Sequence, residues 1–253
     1  MENNNTMASK TAIVLGGTGA VGKALVRDLL VNGSYEKVVA IGRRPVELDS
    51  NVPQEKLVQK SVDFDNLDKY RQAFNNASDV YCCLGTTRAA AGTAENFVKI
   101  DQTYVLNSAK IIAEQNPPKD NEKLSPVHFL YCSSRGSNKD SVFLYPRSKG
   151  QTEEGLKQTG FQKVSLFHPG ILIVEEPRPE RRLAEAVVVN LVPSFSRFFG
   201  LSWYAPVGSV GSAMRKVGEG YNVPESKTKV FEPTGTKVNE FSNVDIDLIS
   251  PHD

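Results

Sequence analysis

The chain has 253 residues, with 30 Lys and Arg against 29 Asp and Glu, which gives a formal net charge of +1. This length is enough for one large domain, and 40% hydrophobic with 23% charged residues argues against a disordered or fibrous protein. The balanced charge argues against a protein that coats nucleic acid, because phosphate contacts need a strong basic excess. We therefore expect a globular protein without a nucleic-acid partner.

Cysteines and apolar runs indicate the compartment. Cys82, Cys83 and Cys132 lie inside apolar runs rather than at metal-ligand spacing, so we expect reduced thiols and no bound metal. Residues 1–10 are polar and lack the apolar core of a secretory signal. No stretch approaches the roughly 18 apolar residues that span a membrane. These features predict a disordered N-terminus, no transmembrane segment and a soluble cytoplasmic protein.

Short apolar runs alternate with amphipathic segments over the first two-thirds of the chain. Strands are predicted at 10–16, 37–42, 57–64, 79–85, 127–133 and 163–168. Helices are predicted at 20–32, 67–75, 95–115 and 145–159. Because parallel neighbours need a crossover helix between them, this alternation predicts an α/β, doubly wound parallel sheet of the Rossmann type over residues 11–174.

The remaining residues, 175–253, are predicted to form a lid or substrate region with an acidic tail, packed on the same domain. Residues 175–182 are charged and interrupted by proline, and residues 183–207 are apolar and aromatic. We interpret the apolar segment as a lid over an apolar or aromatic small-molecule substrate. Contact with a membrane surface is less favoured, because Arg197 is its only basic residue. A helix at 208–217 and a strand at 229–232 follow.

A glycine-rich segment, Gly16 to Gly22, joins the first predicted strand to the first helix. Gly16 permits a tight turn, Gly19 lets the backbone approach a pyrophosphate, and Gly22 allows close packing of helix and strand. The free N–H groups at the start of the helix would face the anion. The strand, turn and helix together predict a dinucleotide site.

The end of the second predicted strand distinguishes NADP from NAD. Glu36 stands about 20 residues after the first glycine, the spacing of a ribose-binding acid, but it precedes the strand. Arg43 and Arg44 follow the strand, and two guanidinium groups there suit a 2′-phosphate. We therefore predict NADPH (NADP+) as cofactor. Asp63 is a candidate for the adenine edge, and a capping role for it stays open.

Tyr145 and Lys149 lie four residues apart on a predicted helix, so their side chains share a face. A nearby ammonium favours the phenolate, which makes Tyr145 a candidate general acid and base for a carbonyl or alcohol substrate. Lys149 is also a candidate ligand of the nicotinamide ribose. Ser133 and Ser134 end the fifth strand, and either hydroxyl can donate to the developing oxyanion. The sequence does not separate the two serines.

These motifs resemble the short-chain dehydrogenase/reductase superfamily in its atypical branch. More narrowly, four segments resemble the Tat-interacting-protein oxidoreductase family: Ile41 to Arg44, Cys82 to Arg88, Ser133 to Gly136 and Tyr145 to Gly150. The likeness covers about residues 11–172. It implies an NADPH-binding Rossmann fold with Tyr145 as proton donor or acceptor.

The resemblance also implies cofactor positions and a cellular setting. The implied cofactor residues are Thr18, Gly19, Ala20, Val21, Arg43, Arg44, Leu84, Gly85, Lys149, Leu172 and Arg178. Animal members are cytoplasmic and nuclear regulators that bind import receptors, and fungal relatives are peripheral to the mitochondrial outer membrane. Peripheral association with that membrane and a protein partner therefore stay open.

Two positions differ from, or add to, the family pattern. His168 precedes Pro169 and Gly170 where members commonly have Arg, and it is either a hydrogen-bonding group near the nicotinamide or a core residue. Asp101 falls in the long helix where extended relatives often carry an Asn that holds the active-site backbone. A solvated surface carboxylate is an equal alternative for Asp101.

Two functions are consistent with the sequence. The first is an NADP-dependent oxidoreductase acting on CH–OH or C=O groups. The alternative is an NADPH-binding redox-sensing regulatory or scaffold protein that acts through a protein partner. The set of Tyr145, Lys149 and Ser133 favours catalysis, because a sensor needs no proton donor.

Overall fold

An eight-stranded sheet organises residues 10–119, 121–174 and 203–251, the part of the chain that the computed structural model describes. Its strands are β1 (Thr11–Leu15), β2 (Lys37–Gly42), β3 (Leu57–Ser61), β4 (Asp79–Cys82), β5 (Ser125–Cys132), β6 (Phe161–His168), β9 (Thr228–Phe231) and β10 (Thr236–Ser242). A small parallel pair, β7 (Ile171–Ile173) with β8 (Tyr204–Pro206), lies apart from this sheet.

The strand order is β3-β2-β1-β4-β5-β6-β10-β9, and all neighbours are parallel except β10 with β9. The chain winds outward from β1 in both directions, so the order reverses between β1 and β4. Ligands of such sheets bind beside the carboxyl ends of the strands at this reversal. The doubly wound Rossmann sheet predicted from the sequence is confirmed.

Helices cover both faces of the sheet. They are α1 (Ala20–Asn32), α2 (Arg88–Ala91), α3 (Ala94–Val98), α4 (Tyr104–Gln115), α5 (Leu144–Gln158), α6 (Val207–Gly218) and α7 (Asn243–Ile249). A 3-10 helix at Leu67–Phe74 lies on the same face as α4 and α5, while α1, α6 and α7 pack on the other. Two buried apolar clusters result, one on each side of the sheet.

The central strand β1 has four consecutive apolar residues, Ala12 to Leu15. Ala12 and Val14 face α1 and α6, whereas Ile13 and Leu15 face the α4 side, and all four side chains are fully buried. A strand that is covered on both faces needs no polar alternation.

The segment predicted as one helix at 95–115 contains a π-helical turn, Lys99–Thr103, between α3 and α4. Such turns are often found at functional sites. Asp101 lies within the turn and is 0% exposed. The alternative of a solvated carboxylate at this position is therefore wrong.

Near the C-terminus, the segment that contains the acidic residues forms a strand and a helix. Strand β10 joins the main sheet between β6 and β9, and α7 follows it. Two acidic residues of this segment have local partners. Glu240 on β10 pairs with Lys157 at 3.5 Å, and Asp245 on α7 forms a capping box with Ser242 at the start of the helix. The alternation in β10 is interrupted by buried Asn239, which obscures the strand in the sequence.

Some sequence predictions fall outside the described residues. They concern residues 1–9, Arg178 and most of the lid segment at 183–207. Within the described residues, no helix has the length and apolar character needed to cross a membrane.

Candidate functional site

The junction of β1 and α1 is packed too tightly for side chains at Gly16 and Gly22. Gly16 has φ +80°, and a Cβ at this position would lie 2.6 Å from the carbonyl carbon of Cys83. The Gly19 N–H donates to the Gly16 carbonyl at 3.0 Å, and a Cβ on Gly22 would overlap that carbonyl. The loop after β1 thus meets the segment after β4 at the reversal of the sheet.

The start of α1 is open to an anion. Its N-cap is Gly19, which provides no side-chain cap, and the first turn contains no acidic residue. Thr18 and Gly19 are exposed, while Ala20 and Val21 begin the helix. Unsatisfied N–H groups at a helix N-terminus favour negative charge. The tight glycine loop and this uncapped helix together fit the pyrophosphate of a dinucleotide.

Arg43 and Arg44 directly follow β2 and are exposed, without an ion pair among the described residues. Asp63 lies past β3, where its carboxylate accepts hydrogen bonds from the Asn66 side chain at 2.7 Å and the Asp65 N–H at 2.9 Å. These bonds hold the pKa of Asp63 below its usual value. Asp63 therefore shapes the local turn, and its contact with adenine stays a prediction.

Helix α5 carries Tyr145 and Lys149 on one face, as the spacing predicted. Tyr145 is 44% exposed and packs against the ring of Phe97 with centroids 5.9 Å apart. Lys149 is buried one turn further along. The exposed phenol of Tyr145 is therefore one helical turn away from the buried ammonium of Lys149.

Two residues from other elements hold Lys149. Its Nζ lies 3.0 Å from Oδ1 of Asp101 and donates to the hydroxyl of Tyr131, on β5, at 3.0 Å. Burial by itself would lower the pKa of Lys149, but Tyr131, Asp101 and Tyr145 raise it well above its usual value. Asp101 therefore provides a counter-charge for the buried ammonium of Lys149.

The segment after β4 lies against this ion pair. A Cβ on Gly85 would come 3.2 Å from Oδ1 of Asp101 and 3.3 Å from Nζ of Lys149. Leu84, its neighbour, has its backbone nitrogen close to Gly16. Leu84 and Gly85 thus connect the glycine loop to Lys149, so the predicted cofactor and catalytic residues form one continuous region.

The structure separates the two serines. The Ser133 hydroxyl donates to the buried carboxylate of Glu153 on α5, which also accepts from Nε2 of His168 at 3.0 Å. The Ser134 hydroxyl oxygen is buried without a hydrogen-bond partner among the described residues. Of the two serines, only Ser133 therefore has a hydroxyl bound by another side chain among the described residues.

Apolar side chains are exposed near Tyr145 and on the small parallel pair. Val142 and Phe143 precede α5, and Phe143 is 73% exposed. Leu172, on β7, is also exposed, as is Trp203 just before β8, where the guanidinium of Arg135 lies 5.2 Å from the indole ring centre. The described residues thus provide apolar surface at this end of the molecule.

Sequence reasoning missed two of the residues that build the site. Glu153 lies four residues after Lys149, so helical spacing alone places it on the same face and could have revealed it. Tyr131 lies inside an apolar strand, where no local signal distinguishes a functional hydroxyl from a core ring.

Known proteins are similar to this chain in sequence and in fold. A family model described as NAD(P)H-binding matches residues 16–178. Protein HTATIP2 of Rattus norvegicus is 36% identical over 210 residues, covering 82% of this chain and 81% of that protein. The protein named fmp52, mitochondrial, of Emericella nidulans is 31% identical over 206 residues, covering 80% and 78%.

Solved structures share the fold at low identity. MoeE5 in complex with UDP-glucose and NAD has a TM-score of 0.62 at 14% identity, covering 92% of this chain and 75% of that chain. A short-chain dehydrogenase/reductase of Veillonella parvula in complex with NADP has a TM-score of 0.54 at 13% identity, covering 96% and 99%. At this identity the likeness shows the fold alone.

The family match and the glycine loop define the chain as an NAD(P)-binding protein, and its fold is one that it shares with a short-chain dehydrogenase/reductase. More narrowly, it belongs to the family of HTATIP2 and the fungal fmp52 proteins.

Proposed function

We propose that this protein is an NADPH-dependent oxidoreductase that interconverts a carbonyl and an alcohol. The observation that carries the proposal is the position of Lys149. It is buried, held by Asp101 and Tyr131, follows the exposed Tyr145 by one helical turn and lies close to the backbone of Gly85. A buried cation with this support beside a phenol is suited to proton transfer at a reacting oxygen.

The roles of the side chains follow from their contacts. In the reducing direction Tyr145 donates a proton to the carbonyl oxygen, and the resulting phenolate is stabilised by the ammonium of Lys149. Ser134, whose hydroxyl has no partner among the described residues, donates a hydrogen bond to the same oxygen. Ser133 has a supporting role, because its hydroxyl is bound to Glu153 rather than to the substrate.

The cofactor would be held by residues from three loops. Gly16, Gly19 and Gly22 with Thr18, Ala20 and Val21 would hold the pyrophosphate, and Leu84, Gly85, Lys149 and Leu172 the nicotinamide ribose end. A bound NADPH supplies the hydride for the carbonyl carbon. Arg43 and Arg44 would pair with the 2′-phosphate, since both are exposed and without an ion pair among the described residues. Asp63 would lie at the adenine edge.

The substrate class we propose is an apolar or aromatic carbonyl compound. Val142, Phe143 and Leu172 expose apolar surface near Tyr145 and on β7. Such side chains favour a substrate that removes their surface from water.

The proposal is tested by NADPH oxidation with a panel of aromatic and aliphatic carbonyl compounds. Tyr145→Phe should lower kcat/KM by about 10²-fold to 10⁴-fold, the usual contribution of a positioned acid. Tyr221→Phe, which removes another exposed hydroxyl remote from α5, is the matched control and should match wild type. If Tyr145→Phe matches wild type on a good substrate, the role of Tyr145 is wrong.

The regulatory alternative predicts NADPH binding without turnover and a partner that binds only with cofactor. A sensor based on thiols is disfavoured, because burial raises the pKa of Cys82 to about 12 and that of Cys132 to about 11. A pull-down with and without NADPH distinguishes this alternative from catalysis.

We also propose a location. The fungal relatives are named mitochondrial, and we infer a cytoplasmic protein that attaches peripherally to the mitochondrial outer membrane. Cell fractionation followed by carbonate extraction should release it from the mitochondrial fraction; retention in the membrane pellet or absence from mitochondria would contradict this.

A further inference from the structure

We propose that Glu153 is a positioning residue that gives the two adjacent serines different tasks: it fixes Ser133 and thereby presents Ser134 to the substrate oxygen. This inference rests on the proposed function and deepens it. The residues involved are Glu153 on α5, Ser133 after β5 and His168 at the end of β6.

One carboxylate oxygen of Glu153, on α5, binds side chains at the ends of β5 and β6. Its Oε1 accepts from the Ser133 hydroxyl and from Nε2 of His168. Glu153 also lies one turn after Lys149 and two turns after Tyr145 on the same helix face. It therefore ties the ends of β5 and β6 to the helix that carries the proposed acid and base.

The backbone holds Ser134 from both sides. The Ser133 N–H donates to the Phe167 carbonyl at 2.8 Å, and the Arg135 N–H donates to the Pro169 carbonyl at 2.9 Å. Ser134 stands between these two bonds, so its main chain follows the end of β6. With the Ser133 side chain bound to Glu153, the neighbouring hydroxyl of Ser134 is the free donor.

Glu153 is an anion in this setting. Burial alone would raise its pKa, but hydrogen bonds from His168 and Ser133 outweigh burial and keep the pKa below its usual value. A charged acceptor binds a hydroxyl more strongly than a neutral acceptor does. The charge therefore strengthens the tie on Ser133.

The order of these groups excludes a hydrolytic triad. In a triad the imidazole lies between the hydroxyl and the carboxylate and takes the proton from the hydroxyl. Here the carboxylate lies between Ser133 and His168. Ser133 is therefore not activated as a nucleophile, and a positioning role accounts for the arrangement.

The test compares Glu153→Leu, Glu153→Gln and Glu154→Leu. Leu removes the acceptor at similar size, and we expect kcat to fall about 10-fold to 10²-fold, the loss typical of a displaced catalytic group. Gln keeps an acceptor oxygen and should restore most of kcat. Glu154, the next residue, is half-exposed and lies outside the cluster, so Glu154→Leu should match wild type. The NADPH Kd should stay within about twofold for all three, which separates positioning from general damage.

A second measurement does not depend on turnover. Urea unfolding of the cofactor-free protein gives a double-mutant cycle for Ser133→Ala and Glu153→Leu, and we expect the two losses to be non-additive because each substitution removes the same hydrogen bond. Additive losses would overturn the inference. So would Glu153→Leu with wild-type kcat while Ser134→Ala and Tyr145→Phe are impaired. If Tyr145→Phe keeps full activity, the proposed function fails instead, and the cycle still decides whether Glu153 holds Ser133.

Discussion

The ammonium of Lys149 lies 3.0 Å from the carboxylate of Asp101, and both side chains are buried between the sheet and α5. The two residues come from different helical segments, the π-helical turn and α5, which contact each other. Ser148 adds a hydrogen bond from its hydroxyl to the other Asp101 oxygen at 3.2 Å. The pair therefore fixes the π turn against the helix that carries Tyr145.

Removing the charge of Asp101 should destabilise the protein strongly. Asp101→Asn leaves the Lys149 ammonium buried without its counter-charge, and loss of one partner of a buried pair costs about 3 kcal/mol or more. Urea unfolding measures the change. Asp140→Asn is the control, because its ion pair with Lys139 at 3.2 Å is exposed and should contribute little. Equal effects of the two substitutions would contradict a stabilising buried pair.

The crowding at Gly16 makes a second prediction. Gly16→Ala adds a methyl group 2.6 Å from the Cys83 carbonyl carbon, so it should lower both the free energy of unfolding and the affinity for NADPH. Gly235→Ala is a matched control, since Gly235 has φ +81° but no atom within 4 Å of its added Cβ. Both variants carry the strain of a positive φ, which costs about 1–2 kcal/mol for an L residue. Any excess loss at Gly16 measures the contact with Cys83, and no excess would contradict it.

The arginines after β2 make a third prediction. Arg43→Ala and Arg44→Ala should weaken NADPH binding by about tenfold or more each, the loss expected for a charge-assisted pair, while NADH binding stays nearly unchanged. Isothermal titration calorimetry with both cofactors measures this. Lys37→Ala, an exposed cation at the opposite end of the same strand, is the control. An equal loss for both cofactors, or none for either, would contradict the 2′-phosphate site.

A buried histidine far from the proposed active site makes the stability depend on pH. Nδ1 of His128 lies 3.3 Å from the Asp79 carboxylate, and Nε2 is 2.8 Å from the Ser165 hydroxyl. Burial lowers the pKa of His128 although Asp79 opposes this. The unfolded chain therefore binds a proton more readily than the folded one, so this stability is present above pH ~6.5 and is lost as pH falls toward the folded pKa.

We expect the free energy of unfolding to fall between pH 7.5 and pH 5, and to fall less in His128→Gln. Urea unfolding at several pH values measures both slopes. His168→Gln, at the other histidine in the described part of the chain, measures how much of the slope depends on that residue instead. An unchanged slope in His128→Gln would show that His128 is not the group responsible.

Much of the fold could be predicted because it depends on local patterns. Apolar runs separated by amphipathic segments correctly predicted the strands β1 to β6 and the helices between them. Strands β3 and β4 end earlier than predicted, at Ser61 and Cys82. Strand β10 was not predicted because it has a buried Asn239 in place of an apolar residue. That side chain is satisfied by Thr228 at 2.8 Å, a partner on the neighbouring strand that no local pattern reveals.

The sequence alone determined the parts of the site that lie close together along the chain. The glycine turn before α1, the Arg43 and Arg44 pair after β2, and the four-residue spacing of Tyr145 and Lys149 all follow from local geometry, because the periods of strand and helix fix where neighbouring side chains lie. These patterns predicted the class of protein and its cofactor site.

Only the tertiary structure decided which groups hold these residues. Asp101 and Tyr131 reach Lys149, and Glu153 joins Ser133 to His168, through contacts between segments far apart in the chain. Such contacts depend on the order of the strands and on how helices rotate against the sheet, which local periodicity does not encode. The sequence therefore left Ser133 and Ser134 equivalent, and the packing of α5 against the ends of β5 and β6 made them different.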